Sequence, residues 1–319
     1  MNPHLHHRCV QLLGVALVLA FAGAPAGAVT TNIFSTRFEA SEGYSETSDL
    51  AGQNGWLKSG SGGNGVLPGF FPGEGQQAYI GFAPPNTNEN QLFLWKPMNY
   101  SPLAANTPVV QFSVAMSIVD STTTNRDDFY WSVFNTQGDQ LFTLDFFNED
   151  LSVSYSLGTN DFVWTGRNFT NDVIYELAFT MDFASNVWSA TLDGAPLVTN
   201  KAITTIGAKL DLGDVDAAWI LTDSARPGDN FMLFDNYSIT AHVIPPSAPR
   251  LSLIERTPAG HVFLRLEGAS GLRFAIDATT NFSNWTPLKT NLLSDGYSDF
   301  LDTSATALST RLYRARWVP

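Results

Sequence analysis

The chain reads as all-β: antiparallel strands packed as a two-sheet sandwich or jelly roll, followed by a second, smaller β-sandwich domain. Three observations predict this. Apolar residues recur at every second position along many short runs, the period of a half-buried strand. No run of useful length carries the helical period. A proline-rich break, residues 244–249, also separates two stretches of different charge.

The pattern is clearest from Ile174 to Gly194. Tyr175, Leu177, Phe179, Met181 and Phe183 alternate with polar positions, Ala184-Ser185-Asn186 interrupts, and Trp188, Ala190 and Leu192 resume the alternation before Asp193-Gly194. This predicts an antiparallel hairpin. The same grammar predicts strands at 32–39, 77–82, 91–95, 109–119, 128–135, 140–147, 151–156, 217–221 and 231–241. Strands in that number without alternating helices argue for two packed sheets. Asn148-Glu149-Asp150, between two of these runs, predicts the turn of a further hairpin.

Residues 1–28 have the form of an export signal. His4, His6, His7 and Arg8 precede an apolar run from Val10 to Ala22, and the segment ends in Ala26-Gly27-Ala28. The run is shorter than the roughly 20 apolar residues that span a bilayer, so no membrane span is expected in a mature chain starting near Val29. Cys9, the only cysteine, would be removed with it. The expected location is secreted: extracellular, or the outer surface or periplasm of a bacterium.

Three prolines within Pro245-Pro246-Ser247-Ala248-Pro249 cannot lie inside a sheet and make a stiff linker. Domains are therefore expected at 29–243 and 250–319. Residues 29–247 carry 8 Lys and Arg against 24 Asp and Glu, a net −16, whereas residues 248–319 carry 8 against 6, a net +2. So acidic a domain repels nucleic acid and suits neutral ligands or cations.

The order of Arg37-Phe38-Glu39, then Asp49-Leu50-Ala51-Gly52-Gln53-Asn54-Gly55-Trp56, then the 174–194 hairpin, then Phe234-Asp235-Asn236-Tyr237-Ser238-Ile239 resembles the laminin G and concanavalin A-like jelly rolls. It is most similar to those of secreted Verrucomicrobia and Planctomycetes proteins. The resemblance implies binding of carbohydrate or extracellular protein. In residues 250–319, Gly271-Leu272-Arg273-Phe274-Ala275-Ile276, Asn281-Phe282-Ser283-Asn284-Trp285, Phe300-Leu301-Asp302 and Arg311-Leu312-Tyr313-Arg314-Ala315-Arg316 resemble a terminal sandwich module of such proteins, broadly like fibronectin type III. Arg311, Arg314 and Arg316 are expected to form a charged edge strand that resists pairing.

Asp235 falls in register with Phe231, Leu233, Tyr237 and Ile239, which puts a carboxylate on an apolar face. Such a group must be paired, metal-bound or left in water. Arg37 is one candidate partner. The resemblance implies another arrangement, a structural calcium between the first and last strands with Glu39 and Asp235 as ligands, completed by other oxygens.

No catalytic residue is assigned. Asp145 and Glu149 are the nearest approach to a glycosidase pair, but the strand lacks the first carboxylate of the E-x-D-x-x-E pattern of hydrolases with this fold. Asp127-Asp128 is expected at the surface, and Asp211 to Asp216 as a solvated loop. His242 and His261 accompany no nucleophile motif. Trp95, Trp131, Trp188 and Trp219 lie in strand patterns and are expected in the core. Trp56, Phe70, Phe71 and Trp164 lie in loop-like text, where rings can stack on sugars. The expected ligand platform is Trp164 with Asn160, Asp161 and Arg167, and Trp56 besides. The sequence thus points to a secreted, non-catalytic protein binding extracellular glycan. The alternatives are a structural or adhesive protein binding surface proteins, and a glycoside hydrolase of the same fold.

Overall fold

A computed structural model describes residues 30–86, 89–158, 161–243, 248–308 and 310–318. The expected export signal and most of the linker lie outside these residues. The chain divides into two compact units, Val29–Ile244 and the residues from Pro245 onward.

Among the described residues the larger unit has fifteen strands. The first eight are β1 (Thr30–Thr36), β2 (Leu57–Gly60), β3 (Asn64–Pro68), β4 (Gln76–Gly81), β5 (Gln91–Trp95), β6 (Val109–Val119), β7 (Asp128–Phe134) and β8 (Gln140–Phe147). There follow β9 (Ser152–Leu157), β10 (Val163–Asn168), β11 (Tyr175–Asp182), β12 (Val187–Leu192), β13 (Ala195–Ala202), β14 (Asp214–Ile220) and β15 (Phe231–His242). One sheet has the order β13-β12-β11-β6-β15-β4-β3, with β1 also on β15, and the other β10-β9-β8-β7-β14-β5-β2. All pairings are antiparallel. The expected 174–194 hairpin is β11 and β12, and the Asp193-Gly194 turn continues it into β13.

The core lies between these sheets. Phe112, Leu177, Phe179 and Met181 face Trp131, Phe142, Leu144 and Trp219 across it, all buried. Phe142 stacks on Trp188 with ring centroids 3.8 Å apart and planes 11° from parallel. Trp131, Trp188 and Trp219 are core residues as expected, but Trp95 is half-buried and turned away from the core, because its strand neighbours Leu92 and Leu94 take the inward positions. Trp56 is 0% exposed. Its Nε1 donates to the Tyr44 hydroxyl at 3.1 Å and its ring packs against Phe38, Phe234 and Tyr237. Its Gly-rich flanks suggested a loop ring open to ligand; in fact the loop carries the ring inward, and Trp56 is removed from the candidate platform. Phe71 is likewise buried, while Phe70 stays exposed.

Among the described residues the smaller unit has six strands: β16 (Arg250–Arg256), β17 (Val262–Glu267), β18 (Arg273–Thr279), β19 (Thr286–Leu292), β20 (Tyr297–Asp302) and β21 (Leu312–Val318). They form two three-stranded sheets, β16-β17-β20 and β19-β18-β21, around Leu264, Leu266, Phe274, Ile276 and Leu293. The edge strand β21 is charged, but its arginines are engaged. Arg314 and Arg316 both donate to the buried Asp277, at 3.0 Å each, and Arg311 approaches Asp302 at 2.8 Å.

Candidate functional site: a carboxyl-floored groove on the seven-stranded sheet

Strand alternation decides which residues leave the core. On β7, Phe129, Trp131 and Val133 point in, so Asp128, Tyr130 and Ser132 point out. On β8, Phe142, Leu144 and Phe146 point in, so Asp145 points out. Tyr130 pairs with Asp145, Asp145 with Ser154 on β9, and Ser154 with Trp164 on β10, which sets these four side chains in one row across the outer face. They line a cavity of about 710 Å³ together with Asp128 and Phe162. Phe162 reaches Tyr130, with ring centroids 5.4 Å apart.

Trp164 stands at its rim, 62% exposed, its Nε1 donating to the Arg167 carbonyl at 3.3 Å. Of the residues of the expected platform, Trp164 lines the cavity. Asp161 and Arg167 are exposed but do not line the cavity, and Asn160 lies outside the described residues. The polar partners come instead from the floor, at Asp128, Tyr130, Asp145, Ser154 and Asn168.

The floor carboxyls are unusual. Asp145 is 5% exposed and its Oδ1 has no hydrogen-bond partner. Burial, reinforced by the charges of Asp128 and Asp150, pushes it up from 3.8 to about 8. Asp128 accepts from the Asn148 amide at 2.8 Å, yet burial still holds it at about 6. The expectation that Asp127 and Asp128 lie at the surface is corrected: both are buried. Asp127 is a structural clamp, its carboxylate accepting from the amides of Thr222 at 3.0 Å and Gly228 at 2.8 Å. Glu149 lines a separate small cavity with Arg126 and Arg226, so the Asp145–Glu149 pairing considered from sequence does not form across one cavity.

Further along the same face a second cavity, of about 580 Å³, is lined by Phe93, Trp95, Phe134, Asn135, Asp214 and Asp216 among others. The stretch from Asp211 to Asp216 is not a solvated loop. Asp211 and Asp216 are buried, and Asp214 opens β14, whose core-facing residues are Val215, Ala217 and Trp219. The alternation D-V-D-A-A-W-I already carried that signal. From β10 to β5 the face spans five strand spacings, about 24 Å.

At the other sheet, β15 carries a bulge between Asp235 and Ser238, where Asn236 has φ +52°. It breaks the expected register. Phe234, Tyr237, Ile239 and Ala241 are in the core, while Leu233 and Asp235 face the opposite side. Asp235 is 0% exposed; its Oδ1 accepts from the Asn236 amide at 2.7 Å and its Oδ2 has no partner. Burial, with the charges of Glu74 and Glu39 adding to it, raises it to about 6. Arg37 is not its partner, since the guanidinium binds Glu74 at 3.1 Å and Asn236 at 3.0 Å. The Glu39 carboxylate accepts from the Gln76 amide at 3.3 Å and occupies the space a Cβ on Gly75 would need. Among the described residues no cluster of three or more His, Cys, Asp and Glu side chains is arranged around a metal position. No helix among them is long and apolar enough to cross a membrane.

No protein-family model matches the chain, and no curated protein is similar to it. Solved structures similar to it include the CBM2 module of Lactobacillus casei BL23 phage J-1 evolved Dit, at 11% identity and a TM-score of 0.46 over 67% of this chain and 97% of that one. The carbohydrate-binding module CBM66 from Bacillus subtilis is similar at 10% identity and a TM-score of 0.35, over 58% and 94%. A sialidase is similar at 9% identity and a TM-score of 0.42 over 61% of this chain, which spans 18% of the sialidase.

Proposed function

We propose that the protein is a secreted, non-catalytic binding protein that takes an extracellular glycan into the groove beside Trp164. The observation that carries this reading is one large ring left exposed at the rim of a cavity whose floor is made of hydrogen-bonding side chains. A sugar presents an apolar C–H face and a rim of hydroxyls. The Trp164 and Phe162 rings suit the first, and Asp128, Asp145, Ser154 and Asn168 suit the second. A protonated Asp145 donates as well as accepts, which a hydroxyl-rich ligand can use at both ends. The test is a glycan array probed with the full chain and with Trp164→Ala. Binding that disappears in the variant at an unchanged unfolding temperature supports the reading; binding that survives it, or binding confined to proteins, overturns it.

A structural calcium at Glu39 and Asp235 belongs to the same proposal. Two features suit it: the orphaned Oδ2 of the fully buried Asp235, and a Glu39 carboxylate held over the backbone of Gly75. Calcium binds six to eight oxygens, so carbonyl and water oxygens would complete the set. The ion would neutralise a buried charge and tie the segment after β1 to β15.

A further inference from the structure

The second cavity on the outer face is not explained by sugar stacking alone. Asp216 is 6% exposed, lines the cavity, and its Oδ1 has no hydrogen-bond partner. Asp214, two residues earlier on β14, shares its side of the strand. None of the lining residues is Lys or Arg. Opposite the carboxyls stand aromatic walls. Trp95 follows Leu94, the partner of Ala217, and so falls abreast of Asp216, with Phe93 and Phe134 also in the lining.

We propose that this cavity binds the ammonium group of an amino sugar, a hexosamine carrying a free amine, within a glycan laid along the outer face of the sheet. The inference rests on the glycan reading above and adds the class of sugar. Two adjacent carboxyls on one side of β14, one of them buried, suit a positive partner, and an ammonium ion also gains from the face of a tryptophan ring within about 6 Å. A sugar acid or sulfated sugar would be repelled. A neutral sugar would leave the carboxyls as they are.

The surrounding charges agree. Ser132, the β7 partner of Asp216, is neutral. At the rim, Lys209 donates to Thr136 at 2.8 Å, but its charge is met by Asp211 at 2.6 Å. Beneath, the Tyr237 hydroxyl donates to the Val215 carbonyl at 3.0 Å. The cation must therefore come from outside the chain. Burial, then the charge of Asp214, holds Asp216 well above its ordinary range; burial raises Asp214 to about 6 although its interaction with the Asp216 carboxyl lowers it, so a bound ammonium ion releases a proton as both carboxyls ionise.

The experiment is titration calorimetry of the full chain at about pH 5, where the sugar amines are already protonated and the raised carboxyls still hold a proton, in two buffers of different ionisation enthalpy. The ligands are hexamers of glucosamine, N-acetylglucosamine and glucose. The expected result is a preference for the glucosamine hexamer of on the order of ten-fold or more, with proton release. Asp216→Asn should abolish both while leaving neutral-hexamer binding intact, and proton release from the wild-type chain is a readout that needs no variant. Equal binding of the three hexamers, dependent on Trp164, overturns this inference and leaves the glycan reading standing. Binding of none defeats both. A short oligolysine that binds at Asp216 as tightly as the glucosamine hexamer overturns the assignment to a sugar.

Discussion

Replacing Asp145 by Asn should make the protein more stable, and increasingly so as pH rises. The folded state holds this carboxyl at about 8 against an ordinary 3.8. Because the folded pKa is the higher one, the folded state binds the proton more tightly, and the stability due to the proton is fully present below about pH 4. It is lost as pH rises toward 8. At about 1.4 kcal/mol per pH unit the loss reaches about 4 kcal/mol at pH 7 and about 6 kcal/mol above pH 8. Asn has nearly the same shape and cannot ionise. It carries a fixed cost of about 1–3 kcal/mol if its amide finds no partner, but that offset does not vary with pH. Urea unfolding of both proteins from pH 4 to pH 9 gives the comparison. The gap should grow by several kcal/mol in favour of the Asp145→Asn variant across that range. A gap that stays flat would refute the reasoning, since it would mean that Asp145 is solvated or already compensated.

Three further outcomes are expected. Calcium should raise the unfolding temperature of the wild-type protein relative to EDTA, by about 2.7 kcal/mol of stability at one hundred times its Kd, and Asp235→Ala should remove the effect; an unchanged wild-type midpoint would eliminate the ion. Trp188→Ala removes a fully buried ring stacked on Phe142 and should cost about 3–5 kcal/mol in urea unfolding, with less than 1 kcal/mol indicating that the stack contributes little. Tyr237→Phe leaves the buried Val215 carbonyl without its 3.0 Å donor, an expected loss of about 1–3 kcal/mol by the same measurement.

Strands with a clean period of two were legible because one face of each is buried. The hairpin of β11 and β12 and the long strands β6, β7 and β8 are near their expected bounds. The strands that escaped notice, β2, β3, β10 and β13, are short or largely exposed, and Lys58-Ser59-Gly60 has no apolar alternation to display. The site was less legible, for two reasons. Acidic residues at outward strand positions read as loop text, yet Asp214 and Asp216 continue the alternation set by Val215, Ala217 and Trp219. The partners that bury Asp127 also lie far away in sequence, at Thr222 and Gly228, where no local pattern points to them. Asp235 failed for a third reason. One bulged residue, Asn236, exchanged the faces of everything after it.

The pairing of β1 with the end of β15 sets Thr30 against His242. The larger unit thus begins and ends at neighbouring points of one sheet. A fold of that kind can be spliced into a surface loop of a host protein with little distortion of either partner. Joining residues 30 and 242 by a short linker and reopening the chain at the exposed Asp193-Gly194 turn should give a circular permutant with the groove intact. The domain is in that respect a removable cassette, with the grooved face carried by strands that take no part in the join.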